Sequence, residues 1–112
     1  SWDIQVDVTG FAVKKNIVYL ALVECKLGLI TLKDFSQILG YSVIVKPEIS
    51  MIVSPQGISS SLKKLIDVYN RQDVLIYNPS EKYNENKISI AKWNETNKDI
   101  DRNSLIPLGN LL

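Results

Sequence analysis

The stretch from Ile17 to Lys26, which reads IVYLALVECK, constrains the fold more than any other part of the chain. Seven apolar or aromatic residues at positions 17–23 lead directly into Glu24, Cys25 and Lys26. A short apolar run rich in β-branched residues indicates a strand that is buried on both faces, near the middle of a sheet. Because side chains alternate along a strand, Glu24 and Lys26 should share one face and Cys25 should lie on the other. Such charges need partners or a function, because their desolvation is costly.

The composition restricts the class of protein and its chemistry. The 112 residues, of which 46% are hydrophobic, predict one globular domain, and no apolar run approaches the length of a membrane span. A single cysteine excludes an internal disulfide and favours a cytoplasmic location. The chain has no histidine, which excludes His-based triads, bases and metal ligands. The net charge of +1 gives no general case for nucleic acid, but it leaves a local basic patch open.

The first strand should form a hairpin with the central one. Residues 2–13 alternate between apolar and polar side chains, which indicates a half-buried strand. If Lys15-Asn16 is a two-residue turn, paired positions across the hairpin sum to 31, and Asp7 lies opposite Glu24 with Cβ atoms roughly 5 Å apart. A three-residue turn is the alternative, and it would put the two acids on different faces. Asp3 is a rival for Asp7, although it would fall beyond the motif.

Helices and further strands follow in alternation. Thr31 and Asp34 have the spacing of a helix start, and Pro47 disfavours helix at the residue before it, so this helix should end near Val45. The remaining pattern predicts a strand at 49–53, a helix from Ser54-Pro55 to about Asn70, a strand at 73–77, and one further strand near 87–93 within a polar C-terminal extension, 79–112. The fold class is therefore α/β: a mixed β-sheet with an N-terminal antiparallel hairpin, then strand-helix-strand crossovers, flanked by helices.

Asp7, Glu24 and Lys26 together suggest metal chemistry. Two neighbouring carboxylates repel each other unless a cation lies between them, and oxygen ligands of this kind suit Mg²⁺ or Mn²⁺. The ammonium of Lys26 could hold or help deprotonate a water, or stabilise charge on a phosphoryl group. Such a site fits metal-assisted attack of water on a phosphodiester.

These residues, followed by Gln37 and Tyr41 on a helix, resemble the PD-(D/E)xK nuclease superfamily, in particular its Gln-x-x-x-Tyr branch of RecB-like and lambda-exonuclease-like enzymes. The resemblance covers roughly residues 2–77. It implies a restriction-endonuclease-like fold and Mg²⁺-dependent hydrolysis of DNA, of the restriction, repair or recombination type. The first acid is preceded by Val6, where the family pattern has proline.

The resemblance also implies roles for individual residues. Asp7, Glu24 and the backbone carbonyl of Cys25 would hold Mg²⁺, for which Mn²⁺ could substitute. Lys26 would position the attacking water, and Gln37 would steady the site or the DNA backbone.

Two neighbours of Gln37 on the same stripe of the helix, Lys33 and Tyr41, are also candidates for contact with DNA. The simpler alternatives are a solvated helix face for Gln37 and a packing role for Tyr41. Cys25 is more simply a small core residue than a nucleophile, because no histidine could activate it.

Two observations keep a second interpretation open. The helix and strand that precede the acidic strand in the family are not found before Asp7, and the chain begins at Ser1, so we expect a processed chain or a segment of a longer one. The net charge of +1, which is close to neutral, is the second observation. The Glu-x-Lys spacing also recurs in a polar context at Glu85-Asn86-Lys87, so a plain alternative for Glu24 and Lys26 is an ordinary charged strand end with a salt-bridged lysine. The functional alternative follows from the two observations. The alternative is a catalytically inactive nuclease-fold domain that binds nucleic acid or a partner protein. A homodimer is also compatible with the sequence.

Overall fold

The computed structural model describes residues 5–79 and 85–108, with the backbone alone for residues 5–9, 12 and 14. Its elements are, in chain order, β1 (Gln5–Lys14), β2 (Ile17–Lys26), α1 (Leu32–Val45), β3 (Ile49–Ser54), α2 (Ser60–Lys63), β4 (Ile76–Asn78), β5 (Asn86–Lys87), β6 (Ser89–Asn94) and β7 (Asp99–Ile106). A π-helical turn over Lys64–Val68 continues α2, and a 3₁₀ turn over Gln72–Leu75 precedes β4.

The hairpin of β1 and β2 has the predicted two-residue turn. Lys15 and Asn16 have φ angles of 51° and 62°, so both lie in the left-handed region that a type I′ turn requires. The strands pair antiparallel with Asp7 opposite Glu24. The predicted register is therefore confirmed, because a turn of two residues leaves only one way to pair the flanking strands.

The main sheet has five strands in the order β1-β2-β3-β6-β7. Strands β2, β3 and β6 run parallel to one another, whereas β1 and β7 are antiparallel to their neighbours. A mixed α/β sheet that begins with an antiparallel hairpin is thus confirmed. The C-terminal region, for which we expected one strand, contributes β5, β6 and β7.

The strand predicted at residues 73–77 is wrong in position. Residues Gln72–Leu75 form the 3₁₀ turn, and the short β4 that follows pairs with β5 in a separate two-stranded sheet. The apolar residues of this segment are buried because β4 packs against α1. The hydroxyl of Tyr77 donates a hydrogen bond of 2.6 Å to the carbonyl of Pro47, which anchors β4 behind the helix.

Helix α1 begins and ends where the sequence predicts. The side chain of Thr31 accepts a hydrogen bond from the amide of Asp34, and the Asp34 side chain accepts one from the amide of Thr31, which completes a capping box. The helix ends at Lys46 in the left-handed region, directly before Pro47.

The predicted start of the second helix at Ser54-Pro55 is wrong. Ser54 is the last residue of β3, and its hydroxyl accepts a hydrogen bond from the amide of Gln56 within a turn. Helix α2 begins six residues later, at Ser60, where Ser59 caps the amide of Leu62. A serine that bonds to its own backbone two residues on stabilises a turn as readily as a helix start.

Two hydrophobic clusters lie on opposite faces of the sheet. The larger cluster includes Phe35 and Ile38 of α1 and Leu62 of α2, packed on the sheet. The smaller one consists of strand residues: Val23, Cys25, Met51, Val53, Ala91, Trp93, Ile100 and Leu105. The prediction that β2 is buried on both faces is wrong, because residues 17–23 are exposed or half-buried. In residues 5–79 and 85–108, no helix has the length and apolar character needed to cross a membrane.

Candidate active site at the carboxyl end of β2

Glu24 and Lys26 are the buried residues of β2. Their exposed fractions are 6% and 5%, and both lie on the face of the sheet that carries the helices. The side chain of Cys25 lies on the opposite face, within the smaller cluster. The alternation predicted for the motif is therefore present, and it takes two charged side chains out of water at the end of one strand.

The ammonium of Lys26 is paired with a residue of the neighbouring helix. Its Nζ donates a hydrogen bond to Oδ2 of Asp34, and the two side chains are only 5% and 8% exposed. The same Oδ2 accepts hydrogen bonds from the amide of Thr31 at 2.8 Å and from its hydroxyl at 2.7 Å. One carboxylate oxygen thus joins the end of β2 to the first turn of α1.

This environment keeps Asp34 ionised. Burial alone would raise the pKa of the carboxyl, because desolvation disfavours the charged form. The hydrogen bonds from Lys26 and Thr31, together with the positive charge of Lys26, outweigh that effect and hold the pKa of Asp34 below its ordinary value. Lys26 therefore faces a carboxylate rather than a carboxylic acid at neutral pH.

The connector that follows Lys26 is tied to the loop that follows β3. The amide of Ile30 donates to the carbonyl of Gly57, and the amide of Ser59 donates to the carbonyl of Ile30, both at 2.9 Å. The hydroxyl of Ser54 donates to the carbonyl of Gly28. These bonds hold the start of α1 against the sheet, which brings Asp34 back to Lys26.

Asp7 occupies the position on β1 that pairs with Glu24. Directly paired positions in an antiparallel ladder share one face of the sheet. The register thus puts position 7 on the face that carries Glu24 and Lys26, whereas the side chain of Asp7 lies outside the described residues. The rival, Asp3, lies outside the described residues altogether.

The three candidates on α1 are exposed. Lys33 and Gln37 lie on the solvent side of the helix, and Tyr41 is 62% exposed, so Tyr41 is not the packing residue that the simpler alternative would make it. The hydrogen bonds and ion pairs of the described side chains do not join any of them to Glu24 or Lys26. The structure therefore brings together Glu24 and Lys26 and leaves the helix candidates at the surface.

All ligands of the predicted metal site are oxygen atoms. The carboxylates of Asp7 and Glu24 and the carbonyl of Cys25 are the hard donors that Mg²⁺ takes in proteins. Among the side chains that the structure describes, which exclude that of Asp7, no three His, Cys, Asp or Glu residues are grouped so as to hold a metal ion.

Sequence reasoning missed the contribution of Asp34 to this site. The spacing from Thr31 to Asp34 predicted a helix start, and that part is confirmed. The contact with Lys26 joins residues eight positions apart through the packing of α1 on the sheet. A charged residue in the first turn of the helix that follows a Glu-x-Lys strand was the only signal in the sequence.

Comparison of the chain with protein-family models, with curated proteins and with solved structures finds no match.

Proposed function

We propose that this chain is a Mg²⁺-dependent nuclease that hydrolyses DNA phosphodiester bonds. The register of the hairpin carries the proposal. Asp7 pairs with Glu24 across the two strands, and Lys26 follows on the same face at a distance of roughly 7 Å along the strand. Two acids and an amine around one point are what metal-assisted hydrolysis of a phosphodiester requires.

The order of elements supports a restriction-endonuclease-like fold. After the hairpin, α1 leads from β2 to β3, which is its parallel neighbour in the sheet. An acidic strand, a Glu-x-Lys strand, a helix and a parallel strand follow one another in the PD-(D/E)xK superfamily as well. Within this fold, the motif lies at the edge where the carboxyl ends of the parallel strands meet.

Each site residue has a distinct role in this proposal. Asp7, Glu24 and the carbonyl of Cys25 would hold Mg²⁺, which Mn²⁺ could replace, and the ion would supply Lewis-acid chemistry for the hydrolysis when bound. Lys26 donates a hydrogen bond to the attacking water or to a phosphoryl oxygen. That bond is strengthened by the low exposure of the site.

The exposed face of α1 contributes contacts with DNA. Lys33 and Gln37 are exposed, and so is Tyr41. Such side chains bind phosphate oxygens and fix the register of a protein on DNA without reading its sequence. In this proposal they hold the DNA backbone beside the motif.

Paired substitutions in the two Glu-x-Lys tripeptides test the proposal. Glu24→Gln should abolish cleavage of single- or double-stranded DNA in Mg²⁺ or Mn²⁺, because the amide is a poor metal ligand. Glu85→Gln makes the same chemical change at an exposed residue and should leave cleavage unchanged. Equal activity in the two variants, or cleavage that persists in EDTA, would contradict the metal site.

Lys26→Met gives a second test with a side chain of similar length. It should lower kcat by about 10²–10³-fold, the usual loss when one donor to the developing charge is removed. Circular dichroism and thermal unfolding establish that the variant is folded. Undiminished cleavage by the folded variant would rule out the assigned role of Lys26.

The second candidate function is a catalytically inactive domain of the same fold that binds nucleic acid or a partner protein. The burial of Glu24 and Lys26 favours it, because a metal ion and a phosphate both need access to these side chains. Isothermal titration with Mn²⁺ and a cleavage assay separate the two candidates. A folded protein that neither binds Mn²⁺ nor cuts any form of DNA would favour the second candidate.

A further inference from the structure

We propose that Asp34 is a positioning residue of the nuclease site, which holds the ammonium of Lys26 at one point beside Glu24. This inference rests on the proposed function. Asp34 lies outside the Asp, Glu-x-Lys and Gln-x-x-x-Tyr positions by which the chain resembles the nuclease superfamily, and its role follows from the contacts that it makes.

The first observation is the convergence of donors on Asp34. Its Oδ2 accepts hydrogen bonds from Nζ of Lys26 and from the amide and the hydroxyl of Thr31. Thr31 is the N-cap of α1, and the amide of Asp34 donates back to the Thr31 hydroxyl at 3.3 Å. The carboxylate is thus fixed by a capping box within a regular helix before it meets the lysine.

A lysine that acts in catalysis needs such a partner on physical grounds. A lysine side chain has four rotatable bonds, and restricting it to one position costs conformational entropy. Catalysis by an ammonium depends on its position, and an error of about 1 Å can reduce a rate roughly a hundredfold. A partner on a rigid helix, rather than on a loop, supplies the precision that such a site needs.

The second observation separates positioning from simple stabilisation. Thr31 and Asp34 complete the cap of α1 between themselves, so the helix start does not require Lys26. A buried ion pair is in general a weak source of net stability, because the desolvation of both charges offsets their attraction. The alternation of β2 puts Lys26 on the face that carries Glu24, and the specific consequence of the pair is that its ammonium is held at one point there.

The test compares Asp34→Asn with Ser42→Ala in the same helix. The asparagine keeps an oxygen that can accept from Thr31 but loses the charge that holds Lys26. Ser42 is fully buried on α1, where its hydroxyl bonds to Ser50 at 2.7 Å, so Ser42→Ala weakens the packing of the helix without touching Lys26. The readouts are kcat and KM for DNA cleavage, the Kd for Mn²⁺, and Tm.

Asp34→Asn should lower kcat by about 10–100-fold, with KM and the Mn²⁺ Kd within about threefold of the wild type. Ser42→Ala should keep the wild-type kcat although it lowers Tm, and Asp34→Asn should lower Tm further, because the buried Lys26 ammonium loses this carboxylate. Asp34→Glu keeps the negative charge one methylene away, so its kcat should lie between those of the wild type and Asp34→Asn. If Asp34→Asn does not fold, Asp34→Glu tests the positioning role instead. A fall in its kcat at an unchanged Mn²⁺ Kd supports that role, and an unchanged kcat overturns it.

The outcomes distinguish the two proposals. A wild-type protein that cuts DNA, together with an Asp34→Asn variant of undiminished kcat, overturns the role of Asp34 and leaves the nuclease standing. An Asp34→Asn variant whose kcat falls no further than that of Ser42→Ala overturns it as well. A wild-type protein that cuts no DNA in Mg²⁺ or Mn²⁺ overturns the proposed function and this inference together.

Discussion

Lys26 at the end of β2 and Asp34 in the first turn of α1 form a buried ion pair that joins the main sheet to its first helix. The pair uses the carboxylate that also completes the capping box with Thr31. A helix start and a strand end thus meet at one oxygen atom. Their relative position is consequently set by hydrogen bonds as well as by apolar packing.

The free energy of unfolding below neutral pH should depend on this ion pair. The pKa of Asp34 is lowered in the folded protein, so the contribution of Asp34 to stability is present above its unfolded pKa and is lost as pH falls through its folded pKa. In Asp34→Asn this part of the pH dependence should disappear. Urea unfolding of both proteins from neutral pH down to pH 2 measures the difference, and parallel profiles would contradict the lowered pKa.

The free energy of unfolding at alkaline pH should depend on the ionisation of the Tyr77 hydroxyl. Burial, with a smaller effect from the charge of Glu48, raises the pKa of this hydroxyl to about 12. Stability that depends on the protonated hydroxyl is complete below the ordinary pKa of 10.0 and is lost as pH rises through about 12. Tyr77→Phe should flatten the profile in this window and cost about 1 kcal/mol at neutral pH, because the carbonyl of Pro47 loses its donor. Spectrophotometric titration of the tyrosines checks the pKa directly.

The hydroxyls of Ser42 and Ser50 join α1 to β3 in a buried position, with exposed fractions of 0% and 1%. Ser42→Ala leaves the Ser50 hydroxyl without this partner and should destabilise the domain by about 1–3 kcal/mol. The double variant, in which Ser50→Ala is added, should recover part of the lost stability, since the Ser50 hydroxyl that had lost its Ser42 partner is then removed as well. Denaturant unfolding of the two single variants and the double variant gives the coupling energy, and strictly additive losses would show that the bond contributes nothing.

The hairpin turn is a site for stabilisation. Lys15 and Asn16 both have positive φ angles, which lysine adopts only at a cost. Replacing them by Asn-Gly, the preferred pair for a type I′ turn, should raise the free energy of unfolding by roughly 0.5–1 kcal/mol. Thermal unfolding measures the gain, and a loss of stability would show that the turn is not of this type.

Local chemistry made much of the framework predictable. A two-residue turn and strict alternation determined the register of β1 and β2, and hence the pairing of Asp7 with Glu24. The Thr31 cap and Pro47 determined the ends of α1. Each of these features depends on residues that are close in the chain, where backbone geometry and side-chain hydrogen bonds leave few alternatives.

Tertiary packing decided the rest. The apolar residues near Leu75 are equally compatible with a strand of the main sheet. In the structure β4 packs against α1 in a separate sheet, and β6 is the strand that pairs with β3. In the same way Asp34 read as a capping residue alone until α1 packed on the sheet and brought its carboxylate to Lys26. The sequence by itself determined which side chains share a strand face or a helix turn, because those relations are local. Only the three-dimensional structure determined which faces meet, because burial is a property of the whole chain.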